Sequence, residues 1–186
     1  MSSIAITPSA TGTGTISLAA PVTATNRTLT LPDATGTVLS TATPGVPIGG
    51  PAFSAVSNTN QTLTNAVFTK VILQSELFDT NNSFDNTTTF RFTPNVAGYY
   101  QVNALVQAQI FAALAANIQK NGVGDSYSVG LGTSGQLYSS VALSKLYYMN
   151  GTTDYIELFA YQATGASTSL LTGGNSLSAV LVRSAT

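Results

Sequence analysis

The side chains that could carry out chemistry in this sequence are its carboxylates, because the chain contains no histidine and no cysteine. Their absence excludes a Ser-His-Asp triad, a thiol nucleophile and a zinc site built from imidazole or thiolate. Two carboxylates can still hydrolyse a glycoside when one stays protonated and the other ionised. The candidates form two groups along the chain, with Glu76, Asp79 and Asp85 in the first and Asp154 and Glu157 in the second.

The first group has the composition of a turn. Asp79 and Asp85 bracket Asn81-Asn82-Ser83, and short polar side chains of this kind bond to their own backbone in turns. The segment also offers oxygen ligands to a calcium ion, but without the spacing of a recognised calcium loop. We therefore expect a solvated loop, no catalysis and no cofactor or metal, while a cation near Asp79–Asp85 stays open.

Tyrosines are the other candidates for contacts with a partner. Tyr147 and Tyr148 are adjacent and are followed by Tyr155; on a strand, one of the first two should face the core and the other should face outward. Large aromatic side chains dominate the burial of cores and interfaces, so we favour subunit packing over core packing and sugar stacking. Tyr127 and Tyr138 lie in a Gly- and Ser-rich stretch that predicts a loop, and loops often bind ligands, so these two are the receptor-binding candidates.

The composition limits the partners of this chain. Charged residues make up only 7% of its 186 residues, and the net charge is −1, whereas an average soluble domain has roughly 25% charged residues. Ser, Thr, Asn, Gln and Gly must therefore cover the surface, or copies of the chain must cover one another. The Lys and Arg residues are dispersed, which excludes nucleic acid as a partner. No run of about 18 apolar residues occurs, so we expect no membrane insertion.

A change in composition near residue 50 predicts two parts. Residues 1–49 contain no Phe or Tyr and end in a linker rich in Pro and Gly, so they cannot form a compact core alone. Residues 50–186 contain every aromatic of the chain. We therefore assign 1–49 to an extended β stem or attachment segment and 50–186 to a folded head.

The head shows short β-like runs separated by turn signals. Asn-Gly pairs at Asn121-Gly122 and Asn150-Gly151 are typical of two-residue hairpin turns, because both turn positions need positive φ. The window 106–118 is rich in helix formers, but its alternation of apolar and polar residues favours a strand. About eight strands at this spacing predict a sandwich or jelly roll. The predicted strands are 51–56, 62–73, 88–93, 99–109, 113–120, 137–149, 153–162 and 177–183.

Part of the head resembles a C1q-like domain, the trimeric jelly roll shared with tumour necrosis factor ligands. The resemblance covers Ala52 to Ala104, and Asn150–Asp154 and Leu177–Val182 are similar to the family's penultimate hairpin and closing strand. The matched positions are Leu73, Asp79, Phe84, Phe92, Gly98 and Tyr100. Leu73 replaces a usual Phe, and Val102 and Ala104 stand where the family has aromatics.

This resemblance implies an all-β fold, a C1q/TNF-like jelly-roll sandwich, that assembles as a homotrimer. In such a trimer, outward aromatics on one sheet line the threefold axis. The tyrosines assigned to the trimer interface are Tyr100, Tyr147, Tyr148 and Tyr155.

A second resemblance lies in the stem. Residues 14–38 are similar to a segment that precedes receptor-binding or C1q-like heads in bacteriophage structural proteins, often tail fibres. The residues assigned to virion attachment are Ile16, Leu18, Arg27, Leu29 and Leu31.

Together the two resemblances imply a phage virion protein of the tail-fibre type. Its stem would dock to other virion proteins and its head would bind a host-surface glycan, with release from the host by lysis. One alternative is a capsid or tail decoration protein without a receptor role, and another is a spike that degrades polysaccharide.

Overall fold

The computed structural model describes residues 11–14, 22, 24–26, 28, 50–110, 112–131 and 138–185, with side chains described outside 125–131. The chain divides into two compact units, Met1–Val38 and Leu39–Thr186. The residues assigned to virion attachment, namely Ile16, Leu18, Arg27, Leu29 and Leu31, lie outside the described residues. The predicted boundary between residues 49 and 50 stays a prediction.

Within the described residues the chain forms eleven β-strands and no helix, which confirms the all-β prediction but exceeds the predicted number of about eight strands. No segment of them is therefore a helix long and apolar enough to cross a membrane. The strands are β1 (Ala52–Val56), β2 (Gln61–Leu63), β3 (Thr69–Lys70), β4 (Ser75–Asp79), β5 (Gly98–Ala108), β6 (Ala113–Lys120), β7 (Val123–Leu131), β8 (Ser139–Met149), β9 (Ile156–Gln162), β10 (Thr168–Leu170) and β11 (Ser176–Ser184).

These strands form two sheets that enclose one core. The larger sheet has the order β4-β1-β11-β5, with β8 on the other edge of β5 and with β10 and β2 continuing from the end of β5. The smaller sheet has the order β3-β9-β6-β7. All named strand pairs are antiparallel, which is the arrangement of a sandwich whose sheets each bury one face.

Strand β5 shows how the sequence alternation builds the core. Every second residue from Gly98 to Ala108 is buried, and the residues between them are exposed or half-buried. Because side chains on a strand point alternately to opposite faces, Tyr100, Val102 and Val106 pack between the sheets. Because Val102 and Ala104 have smaller side chains, the other aromatic rings of the core come from elements other than β5.

The aromatic part of the core is a stack of three phenylalanine rings. The Phe53 ring, on β1, lies 4.7 Å from the ring of Phe84 and 4.5 Å from the ring of Phe92, measured between centroids. Tyr100 meets the Phe92 ring edge-on at 5.5 Å. Phe84 and Phe92 both come from the connection between β4 and β5, so this connection closes the core between the sheets.

Phe92 also joins this connection to the smaller sheet. Its backbone N–H donates to the Ile156 carbonyl at 2.9 Å and its carbonyl accepts from the Ile156 N–H at 2.9 Å. The predicted strand over 88–93 is wrong, since residues 86–89 form a turn and Phe92 makes only two isolated bridges, to Phe84 and Ile156. The predicted strand 62–73 is likewise interrupted between β2 and β3.

The carboxylate of Asp85 is the reason that residues 86–89 turn. It accepts hydrogen bonds from the N–H and hydroxyl groups of Thr87, Thr88 and Thr89. Asp79 does the same for the preceding loop, accepting from the N–H groups of Asn81, Ser83 and Phe84. A carboxylate offers about four lone-pair directions, so donors of the chain itself use the oxygens of Asp85 that a cation would need.

The Asn150-Gly151 pair does not form a hairpin, contrary to the prediction. β8 and β9 belong to different sheets, and Asn150 Oδ1 instead accepts hydrogen bonds from the N–H groups of Thr152, Thr153 and Asp154. Gly151 has φ of +73° and sits where a Cβ would be 2.4 Å from the backbone N of Ala97. The pair therefore builds a tight corner between the sheets.

The Asn121-Gly122 pair forms the two-residue hairpin turn that was predicted for Asn-Gly pairs. Both residues have positive φ, 54° and 77°, and they join β6 to its antiparallel partner β7. β7 was missed in the sequence because its Gly and Ser content predicted a loop. β4 and β10 were also missed, since they are short and border polar turns.

Phe92→Ala should lower the free energy of unfolding by about 3–5 kcal/mol, the usual cost of removing a buried aromatic side chain. Chemical denaturation of the wild type and the variant measures this loss. Val123→Ala, at an exposed position, is the matched control and should change the stability by less than about 0.5 kcal/mol. Equal effects of the two substitutions would contradict the central place of Phe92.

Asp85→Asn should destabilise the protein by about 1–3 kcal/mol at neutral pH, because several hydrogen bonds to a charged acceptor are lost. Hydrogen bonds from Thr88, and then from Thr89 and Thr87, hold the pKa of Asp85 far below its usual range. The contribution of an acid whose folded pKa is depressed is complete above its unfolded pKa, about 3.9, and is lost as the pH falls below that value. The stability difference between wild type and variant should therefore narrow from pH 7 to pH 3.

Glu76→Gln is the matched control for this pH dependence. Burial, with help from the nearby Asp79 and Asp85 charges, raises the pKa of Glu76, so its ionised form is disfavoured in the folded state. Urea unfolding should show no loss of stability in Glu76→Gln at pH 7. A wild-type-like pH profile in Asp85→Asn would show that this carboxylate does not hold the loop.

Candidate functional site

The outer face of the larger sheet is built by β8, β5 and β11 and is the strongest candidate for a contact surface. Its side chains are the alternate residues of these strands that do not face the core. We call this surface the uncharged face, and its members are Tyr99, Gln101, Asn103, Leu105, Gln107, Ser140, Ala142, Ser144, Leu146, Tyr148, Ser176, Ser178, Val180 and Val182. None of these side chains carries a charge, and Arg183, the cross-strand partner of Tyr99, borders the face at one end.

One end of the uncharged face is apolar. Tyr99 and Tyr148 are direct cross-strand partners, and their rings meet edge-on with centroids 5.5 Å apart. Leu146, Val180 and Val182 surround them, and all five side chains are 43–51% exposed. A cleft of about 680 Å³ lies between this group and the residues from Arg183 to Ala185. A soluble chain rarely leaves adjacent aromatic and aliphatic side chains this open without a partner.

The middle of the uncharged face is polar but satisfies its own hydrogen bonds. Gln101 Nε2 donates to Ser144 Oγ at 2.9 Å, and Ser144 Oγ donates to Asn103 Oδ1 at 2.8 Å. Polar groups that already have partners can be covered at lower cost than unpaired ones. A second protein surface could therefore cover both the apolar end and the polar middle.

Among the tyrosines assigned to a subunit interface, only Tyr148 lies on the uncharged face. The expectation that one of Tyr147 and Tyr148 faces inward is confirmed, since Tyr147 is buried and Tyr148 is exposed. Tyr100 is also buried, and its hydroxyl donates to the Val96 carbonyl at 2.7 Å. Burial raises the pKa of that hydroxyl. The assignment of Tyr100 and Tyr147 to an interface is corrected, because both rings lie inside the sandwich.

Tyr155 belongs to a different surface. It directly precedes β9 in the smaller sheet, and the Arg91 guanidinium lies 4.0 Å from its ring centroid. Arg91 Nη2 in turn donates to Glu157 Oε1 at 3.0 Å, and Lys70 Nζ reaches the same oxygen at 2.5 Å. The ring of Tyr155 packs on an ion-pair cluster, and the assignment of Tyr155 to the trimer interface stays a prediction.

Four of the five carboxylates considered for catalysis have structural partners, namely Asp79, Asp85, Asp154 and Glu157. Glu157 is buried, and Lys70 and Arg91 compensate its charge, as a buried carboxylate requires. Asp154 accepts from Lys120 Nζ at 2.9 Å and from Asn121 Nδ2 at 2.7 Å. Burial alone would raise the pKa of Asp154, but these hydrogen bonds outweigh it and lower the pKa. Within the described residues, no group of three or more acidic side chains could hold a metal ion.

The two receptor-binding candidates have different positions. Tyr138 is exposed and directly precedes β8. Tyr127 lies within β7, where Asn117 is its cross-strand partner, so the loop argument that selected it does not hold. Their roles in binding stay predictions. Sequence patterns did not identify Tyr99, Leu146 and Val182, because the exposure of these side chains depends on which face of the sheet stays uncovered.

Comparisons with known proteins agree with this architecture. No protein-family profile and no curated protein sequence matches the chain. Among solved structures, the globular domain of the zebrafish complement 1qA protein is 16% identical, with a TM-score of 0.55, and the match covers 73% of this chain and 99% of that one. Murine APRIL at pH 5.0 is 14% identical, with a TM-score of 0.55, covering 71% of this chain and 98% of APRIL.

A third similar structure is the PRD1 vertex protein P5, which is 11% identical with a TM-score of 0.52, and the match covers 72% of this chain and 98% of that one. At such identities the similarity establishes the fold alone. The head is thus an all-β, C1q/TNF-like jelly-roll sandwich.

Proposed function

We propose that this chain is a structural protein of a bacteriophage virion, of the tail-fibre type, that forms a homotrimer and binds a host-surface glycan through its head. The observation that carries the proposal is the uncharged face, with Tyr99 and Tyr148 at its apolar end. In this proposal the protein is not an enzyme, and its carboxylates serve as hydrogen-bond acceptors and ion-pair partners.

The composition of the uncharged face supports self-association. The buried centres of protein interfaces are rich in Tyr and poor in charged residues, and a stable interface covers about 800 Å² on each partner. Three strands with alternate uncharged side chains supply such a surface. A contact between this face and a different surface of the next copy closes into a ring when the rotation is threefold, which is the assembly that the family resemblance implies.

The stem and a structural neighbour support a place in a virion. Residues 14–38 are similar to segments that precede the heads of phage structural proteins, and the PRD1 vertex protein P5 shares the fold of the head. Residues 1–49 would then attach to other virion proteins. The head would face outward on the particle and become extracellular when the host lyses.

Light scattering tests the assembly. The protein should have about three times the 19.1 kDa mass of one chain, and Tyr148→Lys should shift it toward the monomer, because a charge would be buried without a partner. Val67→Lys is the matched control, since Val67 is equally exposed but lies between β2 and β3, and it should leave the trimer intact. A wild type that stays monomeric in dilute buffer would remove the basis of the proposal.

Binding to whole host cells separates the proposal from its main alternative, a decoration protein that clamps capsid or tail subunits. The PRD1 vertex protein P5 neighbour is compatible with either role. Fluorescently labelled trimer should stain host cells if the head binds a receptor, and loss of surface glycan should abolish the staining. Unstained cells would favour the decoration protein, and release of reducing ends from envelope glycan would favour a degrading spike.

A further inference from the structure

A second cleft lies on the connection between β4 and β5 and shares no lining residue with the uncharged face. It has a volume of about 530 Å³, which is within the roughly 300–1,000 Å³ range of ligand sites. Its walls are mostly amide and hydroxyl side chains together with one guanidinium. The residues that matter for its chemistry are Glu76, Asn82, Ser83, Asn86, Arg91 and Thr93.

Ser83 is the observation that points to a ligand. Its side chain is 94% buried, being only 6% exposed, and its Oγ is the one buried side-chain polar atom of the described residues without a hydrogen-bond partner. The half-buried carboxylate of Asp79 nearby accepts three hydrogen bonds from backbone N–H groups of the chain. A buried hydroxyl without a partner is unfavourable, and a ligand hydroxyl that reaches Ser83 from the cleft would relieve this.

The side chains around Ser83 offer both donors and acceptors. Thr87 and Thr89 donate their hydroxyl hydrogens to Asp85, so their remaining lone pairs can accept from a ligand. Arg91 uses its Nε and Nη2 to bond Glu157, but a guanidinium has five N–H donors. It therefore keeps donating capacity where it lines the cleft.

The charges in the cleft disfavour an anion. Glu76 and Asp85 are acidic, no lysine lines the cleft, and the single cation that lines it, Arg91, is bound to Glu157, which it shares with Lys70. An apolar ligand is also unfavourable, because the ring of Phe84 is buried in the core and hydroxyl and amide groups form the walls. A neutral molecule with many hydroxyl groups matches this lining, since each hydroxyl both donates and accepts.

We propose that the cleft on the β4–β5 connection binds a neutral saccharide unit, with Ser83, Thr93 and Arg91 among its direct contacts. This inference rests on the proposed receptor function and names the site and the class of sugar that would serve it. Each copy contributes one cleft, so three weak sites on a trimer would act together on a cell surface, where linked sites raise the overall affinity by about 10²–10⁴.

The test is binding of the full-length protein to immobilised oligosaccharides of neutral hexoses and N-acetylhexosamines, with sialylated and sulfated versions beside them. The wild type should bind neutral glycans, and the sialyl or sulfate groups of the anionic versions should not increase its affinity. Ser83→Ala should weaken binding several-fold, and Ser83→Ala combined with Thr93→Val should weaken it at least tenfold. Thr93→Val keeps the shape of the side chain, Ser83→Ala removes only the hydroxyl group, and both leave the backbone bond from the Thr93 N–H to the Ser83 carbonyl in place.

Thr152→Val, an exposed hydroxyl on another turn, is the matched control and should bind as the wild type does. Thermal unfolding should show all variants as stable as the wild type, since Ser83 Oγ has no partner to lose. Wild-type affinity in the double variant, selective binding of anionic glycans, or no binding to any neutral glycan would each overturn the assignment.

The outcomes also separate this inference from the function on which it rests. If the double variant stains host cells as strongly as the wild type, the receptor function stands and the cleft is not its site. If the wild type itself fails to stain cells but binds neutral glycans through Ser83, the cleft stands and the receptor function fails. The Tyr148→Lys variant should keep the affinity of a single site while losing the gain from three linked sites.

Discussion

The stack of Phe53 between Phe84 and Phe92 is the contact on which much of this head depends. Two of the three rings belong to a connection and not to a strand, so a segment with almost no regular structure supplies part of the core. The same connection pairs with the smaller sheet through Phe92 and Ile156. Core packing therefore fixes the position of the connection, and with it the cleft and the start of β5.

Arg183 and Lys120 border one end of the uncharged face, and the ion pairs of the described residues lie outside the face. Lys70 and Arg91 share Glu157, and Lys120 pairs with Asp154. These pairs join strands of the smaller sheet to the connections around it, where partly buried charges need partners. The face formed by β8, β5 and β11 is left to neutral side chains, which is the opposite of the way a typical monomer protects an exposed sheet.

Prediction from the sequence was accurate where the local alternation of apolar and polar residues determines a strand. It failed where the structure of a segment depends on the distant strand or side chain with which it pairs. The alternation around Tyr100 and Tyr148 located β5 and β8, and Asn121-Gly122 was recognised from its conformational needs. Asn150-Gly151 has the same Asn-Gly sequence, but the strand that follows it joins the other sheet. A short segment does not contain the information that selects the sheet. Residues 88–93 contain β-branched threonines, yet six hydrogen bonds to Asp85 form a turn. The site residues were harder still, because exposure depends on the whole sandwich.

In the connection between β4 and β5, the side chains that fix its conformation are different from several of the side chains that it exposes in the cleft. Asp79 and the phenylalanine rings fix its course, while the side chains of Asn82 and Thr93 line the cleft and hold no other element in place. Substitution of Thr93 can therefore leave folding unchanged, whereas Asn82 has φ of 51°, a conformation that few residue types other than Gly, Asn and Asp adopt without strain. Under the proposed receptor function, such a head can change what it recognises while the fold that presents the cleft stays the same.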